Sequence, residues 1–379
     1  MKRILIMIDS LNCGGAEKSL ISLLPFLVER DYEITLMVQN RGGLFEKFIL
    51  ENVILETFPY KSSKISAMRY SMYLRVPFVN RQHLAELYWQ TIGRKLPRLS
   101  DKYDVAIAYQ QGFPTFYIAE KVSARKKICW VNVDLKAAGY SPRYCKPFYS
   151  KYDHIVAVSD ILRDEIVFPD YVPERGKISI CYDILNESLI RDMAMDKNIR
   201  NNSDRRIHIT TVGRLVYQKG YELAIGAAEI LRQNGIHFIW HLVGGGPLYE
   251  ELRKLIEYKG LENNVILEGE QANPYTYIAA ADIYVQTSRF EGFGLTIGEA
   301  KILNKPIVST NFPVVYNQIT DGVNGLVVDM QSEAIAEGVM RLIKDKELRT
   351  HIIEALTTEH NTTAETESKK VIRIIESES

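Results

Sequence analysis

The chain has 379 residues, 46% hydrophobic and 25% charged, with 47 basic and 47 acidic side chains. That length exceeds one ordinary α/β core and predicts two domains, while a formal net charge of zero excludes a globally basic nucleic-acid binder. Four cysteines lie far apart with no CxxC spacing, which excludes a disulfide frame or a cysteine zinc site and predicts reduced thiols in a cytoplasmic protein.

The opening MKRILIMIDSLN joins basic residues to an apolar run, as a signal peptide would, but the run covers only residues 4–8 before Asp9 stops it. It therefore predicts a buried first strand. No stretch approaches the ~20 apolar residues that cross a bilayer. Further along, EITLMV (33–38), DVAIAY (104–109), KKICWVNV (126–133) and HIVAVS (154–159) alternate with helical patterns. Uninterrupted β-rich runs suit strands covered on both faces, as in a parallel sheet. The polar stretch 191–206 marks a boundary region, after which the pattern restarts with IHITTVG (207–213), HFIWHLVG (237–244), NVILEG (264–269), ADIYVQTS (281–288), KPIVST (305–310) and GLVV (325–328). The expected architecture is α/β: two Rossmann-like, doubly wound parallel-sheet domains whose strand ends face a central cleft.

One segment departs from the alternation. Residues 60–99 hold eight Lys/Arg and a single acid, Glu86, with Tyr60, Tyr70, Tyr73, Tyr88 and Trp89 interleaved. A basic, aromatic-rich helical insertion suits an anionic membrane surface. It equally suits a solvated insertion whose aromatics pack on the domain.

Three strand–glycine–helix junctions carry the chemistry. In IDSLNCGGAEKSL, Gly14 and Gly15 turn the chain into a helix whose free N–H groups favour an anion. In TVGRLVYQKG, Gly213 ends a strand, and Arg214 and Lys219 follow five apart, a fork and a point charge able to clamp a diphosphate. LVGGGPLYEEL, with Gly245, is the third. Neither GxGxxG nor GxxxxGK[ST] occurs, which lowers the case for a dehydrogenase or an ATPase. In SRFEGFGLTIGEA, Glu291 precedes a glycine turn and Glu299 lies one turn inside the next helix. Carboxylates accept from adjacent hydroxyls, so two acids around a helix N-terminus suit a ligand with two polyol ends and phosphates between. A nucleotide-sugar has that form.

Together, GRLVYQKG, VGGGP, SRFEGFGLTIGEA, DGVNGLVV and the N-terminal GGAEKSL resemble the retaining glycosyltransferases of family 4, with the GT-B fold, of the type that builds bacterial capsular polysaccharides or exopolysaccharides. The resemblance implies an acceptor domain over 1–185, a donor domain over 186–362 and a terminal helix, 363–379, crossing back to the first. It implies that Arg214 and Lys219 hold the donor diphosphate, that Glu291 binds the transferred sugar and that Glu299 binds the ribose. Gly213, Gly245, Phe293, Gly294 and Leu295 would line sugar and phosphate, and Gly14 and Gly15 would close over the diphosphate. Where the family often has a catalytic His, Asn132 stands here; it cannot shuttle a proton. Asp134 is a helper or a capping acid. Asp183 stands where relatives tend to carry Asn.

The implied reaction moves a sugar from a nucleoside-diphosphate sugar, UDP-linked by family default, to a glycan or lipid-linked glycan acceptor. No cofactor is expected beyond that co-substrate, and no metal, since none of the seventeen aspartates forms Asp-x-Asp. Expected partners include an anionic membrane surface through 60–99 and no nucleic acid. The protein is expected in the cytoplasm, free or peripheral on the inner face of the membrane. Two other readings remain: an epimerase or sugar-phosphate synthase of the same fold, and a sugar-nucleotide-binding scaffold without turnover.

Overall fold

The apolar runs become parallel strands in two separate sheets. The computed structural model describes residues 1–12, 14–60, 83–195, 204–358 and 363–377. The chain divides into a first unit, Met1–Ile184 with Thr363–Ser379, and a second, Leu185–Thr362.

The first unit holds β1 (Lys2–Ile8), β2 (Tyr32–Val38), β3 (Val53–Thr57), β4 (Lys102–Ala108), β5 (Ser123–Val131), β6 (His154–Ala157) and β7 (Ile178–Ile180). Their order is β3-β2-β1-β4-β5-β6-β7, every pair parallel. The central strand explains the apolar opening: Ile4 pairs in register with Ile34 on one side and Val105 on the other, and residues 4–8 are fully buried. The edge strands β3 and β7 were not among the expected runs. In β3 only Val53 is buried, so its sequence lacks the continuous apolar signature of an inner strand.

The helix Thr363–Glu376 belongs to this unit. Val371, Ile372, Ile374 and Ile375 are buried, Glu367 accepts from the Tyr182 backbone N–H at 3.0 Å, and Lys126 Nζ donates to the Ser377 carbonyl at 2.7 Å. Such spacing of apolar residues buries one helical stripe.

Within the basic segment, residues 61–82, which include Arg69, Tyr70, Tyr73 and Arg75, lie outside the described residues. Over the rest, the aromatics pack on the domain. Trp89 is fully buried on the helix Leu84–Thr91, against Phe113, Phe116, Tyr117 and Phe148. Glu86 is also fully buried, accepting from Ser141 N–H at 2.7 Å, whereas Arg94, Lys95 and Arg98 are exposed. No helix among the described residues is long and apolar enough to cross a membrane.

The second unit holds β8 (Ile207–Val212), β9 (Phe238–Val243), β10 (Val265–Gly269), β11 (Ile283–Gln286), β12 (Ile307–Thr310) and β13 (Leu326–Val328). The order is β10-β9-β8-β11-β12-β13, again all parallel. Ile209, Trp240, Leu242, Val285 and Val308 form a core with the apolar stripes of the helices Tyr221–Gln233 and Ser332–Lys344. In each unit the chain changes direction across the sheet beside its first strand, between β1 and β4 and between β8 and β11. Ligands of open parallel sheets bind at the carboxyl ends of strands at such a switch.

Candidate active site

In the second unit, the loops after β8 and β11 are stitched together at that switch. Thr287 Oγ1 donates to the Lys219 carbonyl at 2.7 Å, and Arg289 N–H to the Gln218 carbonyl at 2.7 Å. Gly220 allows the approach: its φ is +60°, and a Cβ there would lie 2.2 Å from the Thr287 carbonyl oxygen. The loop after β9 packs as closely, since a Cβ on Gly244 would lie 1.8 Å from the Gly213 carbonyl oxygen.

Lys219 and Glu291 meet in this junction. Lys219 Nζ lies 2.5 Å from Glu291 Oε1, with the two side chains 17% and 8% exposed. The same oxygen accepts from Ser288 Oγ at 2.5 Å and Gln286 Nε2 at 3.0 Å, while Gln218 Nε2 reaches Oε2 at 3.3 Å. Gln286 is held in turn, its Oε1 accepting from Tyr284 at 2.7 Å and Thr296 at 3.0 Å. A carboxylate with this many donors is fixed in direction before any ligand arrives.

Glu299 lies on the helix Leu295–Ile302, whose N-cap is Gly294. It is fully buried, and its Oε1 accepts from Tyr275 at 3.1 Å. The two acids share one neighbour. The buried Tyr284 phenol is pushed up first by burial, then by Glu299 and Glu291, against the opposing influence of the nearby Thr296 hydroxyl. Around the helix start, Gln318 Nε2 donates to the Phe293 carbonyl at 2.5 Å, and Leu295 is buried. The Gly213 carbonyl accepts from Tyr221 at 2.6 Å, and Leu215 N–H donates to the Gly245 carbonyl at 2.8 Å. Arg214 is exposed beside them.

The glycine loop of the first unit behaves differently. Gly14 is the extended N-cap of the helix Gly15–Val28, and a Cβ on it would meet the Glu17 carboxylate at 2.1 Å. Asn132 follows β5, with Nδ2 donating to the Tyr109 carbonyl at 2.8 Å. Asp134 Oδ1 accepts from Ala137 N–H at 2.9 Å, as a capping acid would. Asp183 is buried, and desolvation pushes its carboxyl up to about 7 against the pull of its hydrogen bond with Ser19. Asp9, just past β1, is pushed up by burial to about 6.

Sequence reasoning placed Lys219 and Glu291 at one site, each facing a ligand, without expecting them to pair. It passed over Gln286, Ser288, Gln218 and Tyr284. The available signal was a glutamine closing an apolar strand run, ADIYVQ, where a buried amide needs partners. Of the histidines in strand patterns, His208 and His241 are buried, their rings stacked at 5.6 Å, while His237 is exposed. Among the described residues, no three His, Cys, Asp or Glu side chains converge as metal ligands would.

Residues 192–358 match the family described as glycosyl transferases group 1. Over 206 residues the chain is 28% identical to an alpha-D-kanosaminyltransferase of Streptomyces kanamyceticus, covering 53% of each. Over 197 residues it is 29% identical to a poly(ribitol-phosphate) alpha-N-acetylglucosaminyltransferase of Staphylococcus aureus, covering 47% of this chain and 39% of that one. The chain thus spans about half the length of these relatives, or less. A crystal structure of HepE from Anabaena, in complex with UDP and glucose, superposes over 99% of both chains with a TM-score of 0.75 at 19% identity. TarM of S. aureus, in a complex containing UDP, covers 100% of both with a TM-score of 0.71 at 16% identity. The two parallel sheets are therefore those of the GT-B fold, and residues 192–358 are similar to the glycosyl transferases group 1.

Proposed function

We propose that this chain is a retaining glycosyltransferase. It takes a sugar from a nucleoside diphosphate, UDP in the first instance, and delivers it to a glycan carried on a lipid, in assembly of a capsular or other cell-surface polysaccharide. The observation that carries the reading is the Lys219–Glu291 pair, set by Ser288, Gln286 and Gln218 at the switch point of the second sheet.

In this reading Arg214 and Lys219 neutralise the diphosphate, whose charge grows as it leaves. Fixed charge aimed at developing charge lowers the barrier without reorganisation. Glu291 takes hydroxyls of the transferred sugar through the lone pairs its protein donors leave, and Glu299 serves the ribose. The bond from the anomeric carbon to the β-phosphate oxygen breaks, the electron pair staying with phosphate. The acceptor oxygen bonds to that carbon on the same face, and its proton passes to the departing phosphate. No protein base is required, so Asn132 is compatible with turnover. The exposed Arg94, Lys95 and Arg98, beside a buried Glu86, support a cytoplasmic site at an anionic membrane surface.

The test is release of nucleoside diphosphate from a panel of UDP-sugars supplied with lipid-linked glycan. Turnover is expected with one donor, and Lys219→Ala should lower kcat and weaken donor binding together. A protein that binds donor and never releases nucleoside diphosphate would be a scaffold.

A further inference from the structure

In the second unit, the consecutive carbonyls of the short turn Tyr217–Lys219 are all taken by the segment 287–289. The Lys219 carbonyl accepts from Thr287 Oγ1 at 2.7 Å, that of Gln218 from Arg289 N–H at 2.7 Å and that of Tyr217 from Arg289 Nη1 at 2.8 Å. The Arg289 guanidinium also stacks on the Tyr217 ring, Cζ 4.2 Å from the centroid, and pairs with Glu222 at the start of the helix Tyr221–Gln233. Inside the turn, Lys219 N–H donates to the Val216 carbonyl at 3.0 Å and Gly220 N–H to the Tyr217 carbonyl at 3.2 Å. Such i→i+3 bonds have poorer geometry than α-helical ones, so the bonds from outside decide where the turn sits. Just beyond Arg289 along the chain, Glu291 receives the Lys219 ammonium. One segment thus grips the turn by its backbone and by its lysine.

We propose that Arg289 is a positioning residue: by fixing the carbonyls of Tyr217 and Gln218 it sets where the Lys219 ammonium stands, and with it the charge offered to a diphosphate. A planar guanidinium reaches a carbonyl, a ring face and a carboxylate at once, which the point charge of an ammonium does not. An ion pair with Glu222 alone would contribute little, since the two side chains are 21% and 38% exposed, and it would leave Lys219 where it is. Arg289 acts on the chemistry only through Lys219. A displaced ammonium still attracts a diphosphate, because Coulomb attraction falls only with the inverse of distance. Stabilising charge as it develops demands fixed placement, so loss of Arg289 weighs on the transition state more than on donor binding. The role in turnover rests on the glycosyltransferase reading; the placement of Lys219 does not.

The experiment compares Arg289→Ala and Arg289→Lys in the full chain with Arg253→Ala, a control that removes an exposed arginine paired with Glu250 and Glu257. Circular dichroism establishes that each variant is folded, and either folded Arg289 variant suffices. Acetylation by N-hydroxysuccinimidyl acetate, read at Lys219 by peptide mass spectrometry, should rise severalfold in both Arg289 variants and stay unchanged in the control. With the UDP-sugar that the wild type turns over, kcat should fall about tenfold or more while KM changes little. Wild-type labelling of Lys219 in a folded Arg289 variant overturns the proposal. So does a variant that melts earlier yet keeps its kcat, which would make Arg289 a stabilising residue and nothing more. A wild type that releases nucleoside diphosphate from no UDP-sugar would instead count against the glycosyltransferase reading, and labelling alone would then decide the placement of Lys219.

Discussion

The two units share a layout and differ in how their strand ends are satisfied. After β8 and β11, protein groups answer one another: Glu291 alone accepts from Lys219, Ser288, Gln286 and Gln218. In the first unit, Asp9, Asn132 and Asp183 each keep a buried oxygen without a partner among the described residues. The first arrangement holds charge rigid, which suits a ligand whose own charge changes during reaction. The second leaves hydrogen-bonding capacity unspent at a cost in stability, a common trade at functional sites.

Glu291→Ala would break the comparison most severely. Removing the hub leaves Lys219, half-buried, without its counter-charge, and stability should fall by about 1–3 kcal/mol. Turnover should fall about 100-fold or more. Urea unfolding and diphosphate release check the two effects, and a stable, active variant would dissolve the contrast between units.

Asp183→Asn tests the opposite sign. The folded carboxyl titrates near 7, above the 3.8 of an ordinary Asp. The fold therefore favours the protonated form, and that contribution is lost as pH rises toward and through 7. Asparagine should stabilise the protein on the order of 2–4 kcal/mol at pH 8. The gain should shrink as pH falls toward 4. Melting curves across that range decide it, and a pH-independent difference would mean the carboxyl is not the cause.

The smallest effect is expected at Asp134→Ala, where loss of the turn cap costs about 0.5–2 kcal/mol. A turnover defect larger than that loss explains would return Asp134 to the chemistry. Thermal unfolding beside a kinetic assay separates the two.

Much of the fold was legible because inner parallel strands write themselves as unbroken apolar runs. That is why β1 and β8 were evident and the edge strands β3 and β7 were not. The glycines after β8 and β9 were legible as turns, since only glycine fits where backbones approach so closely. The Lys219–Glu291 contact was not, because 72 residues separate the partners and only the sheet order brings their loops together. Asp9 was visible merely as the residue that ends an apolar run; its unpaired oxygen is a property of three strands at once. Trp89 stood between two readings, facing a membrane or packing on the domain, because the neighbours that bury it, Phe113 and Phe148, lie further along the chain.

The helix Thr363–Glu376 gives the two units different histories during synthesis. The second unit is one continuous stretch and can emerge from the ribosome whole, whereas the first lacks its Val371–Ile375 stripe until everything between has been made. Roughly 180 residues of nascent chain must wait with an apolar groove uncovered, a state that invites chaperones. Translation past residue 376 is therefore the step that lets the first unit close, even though its strands were made first.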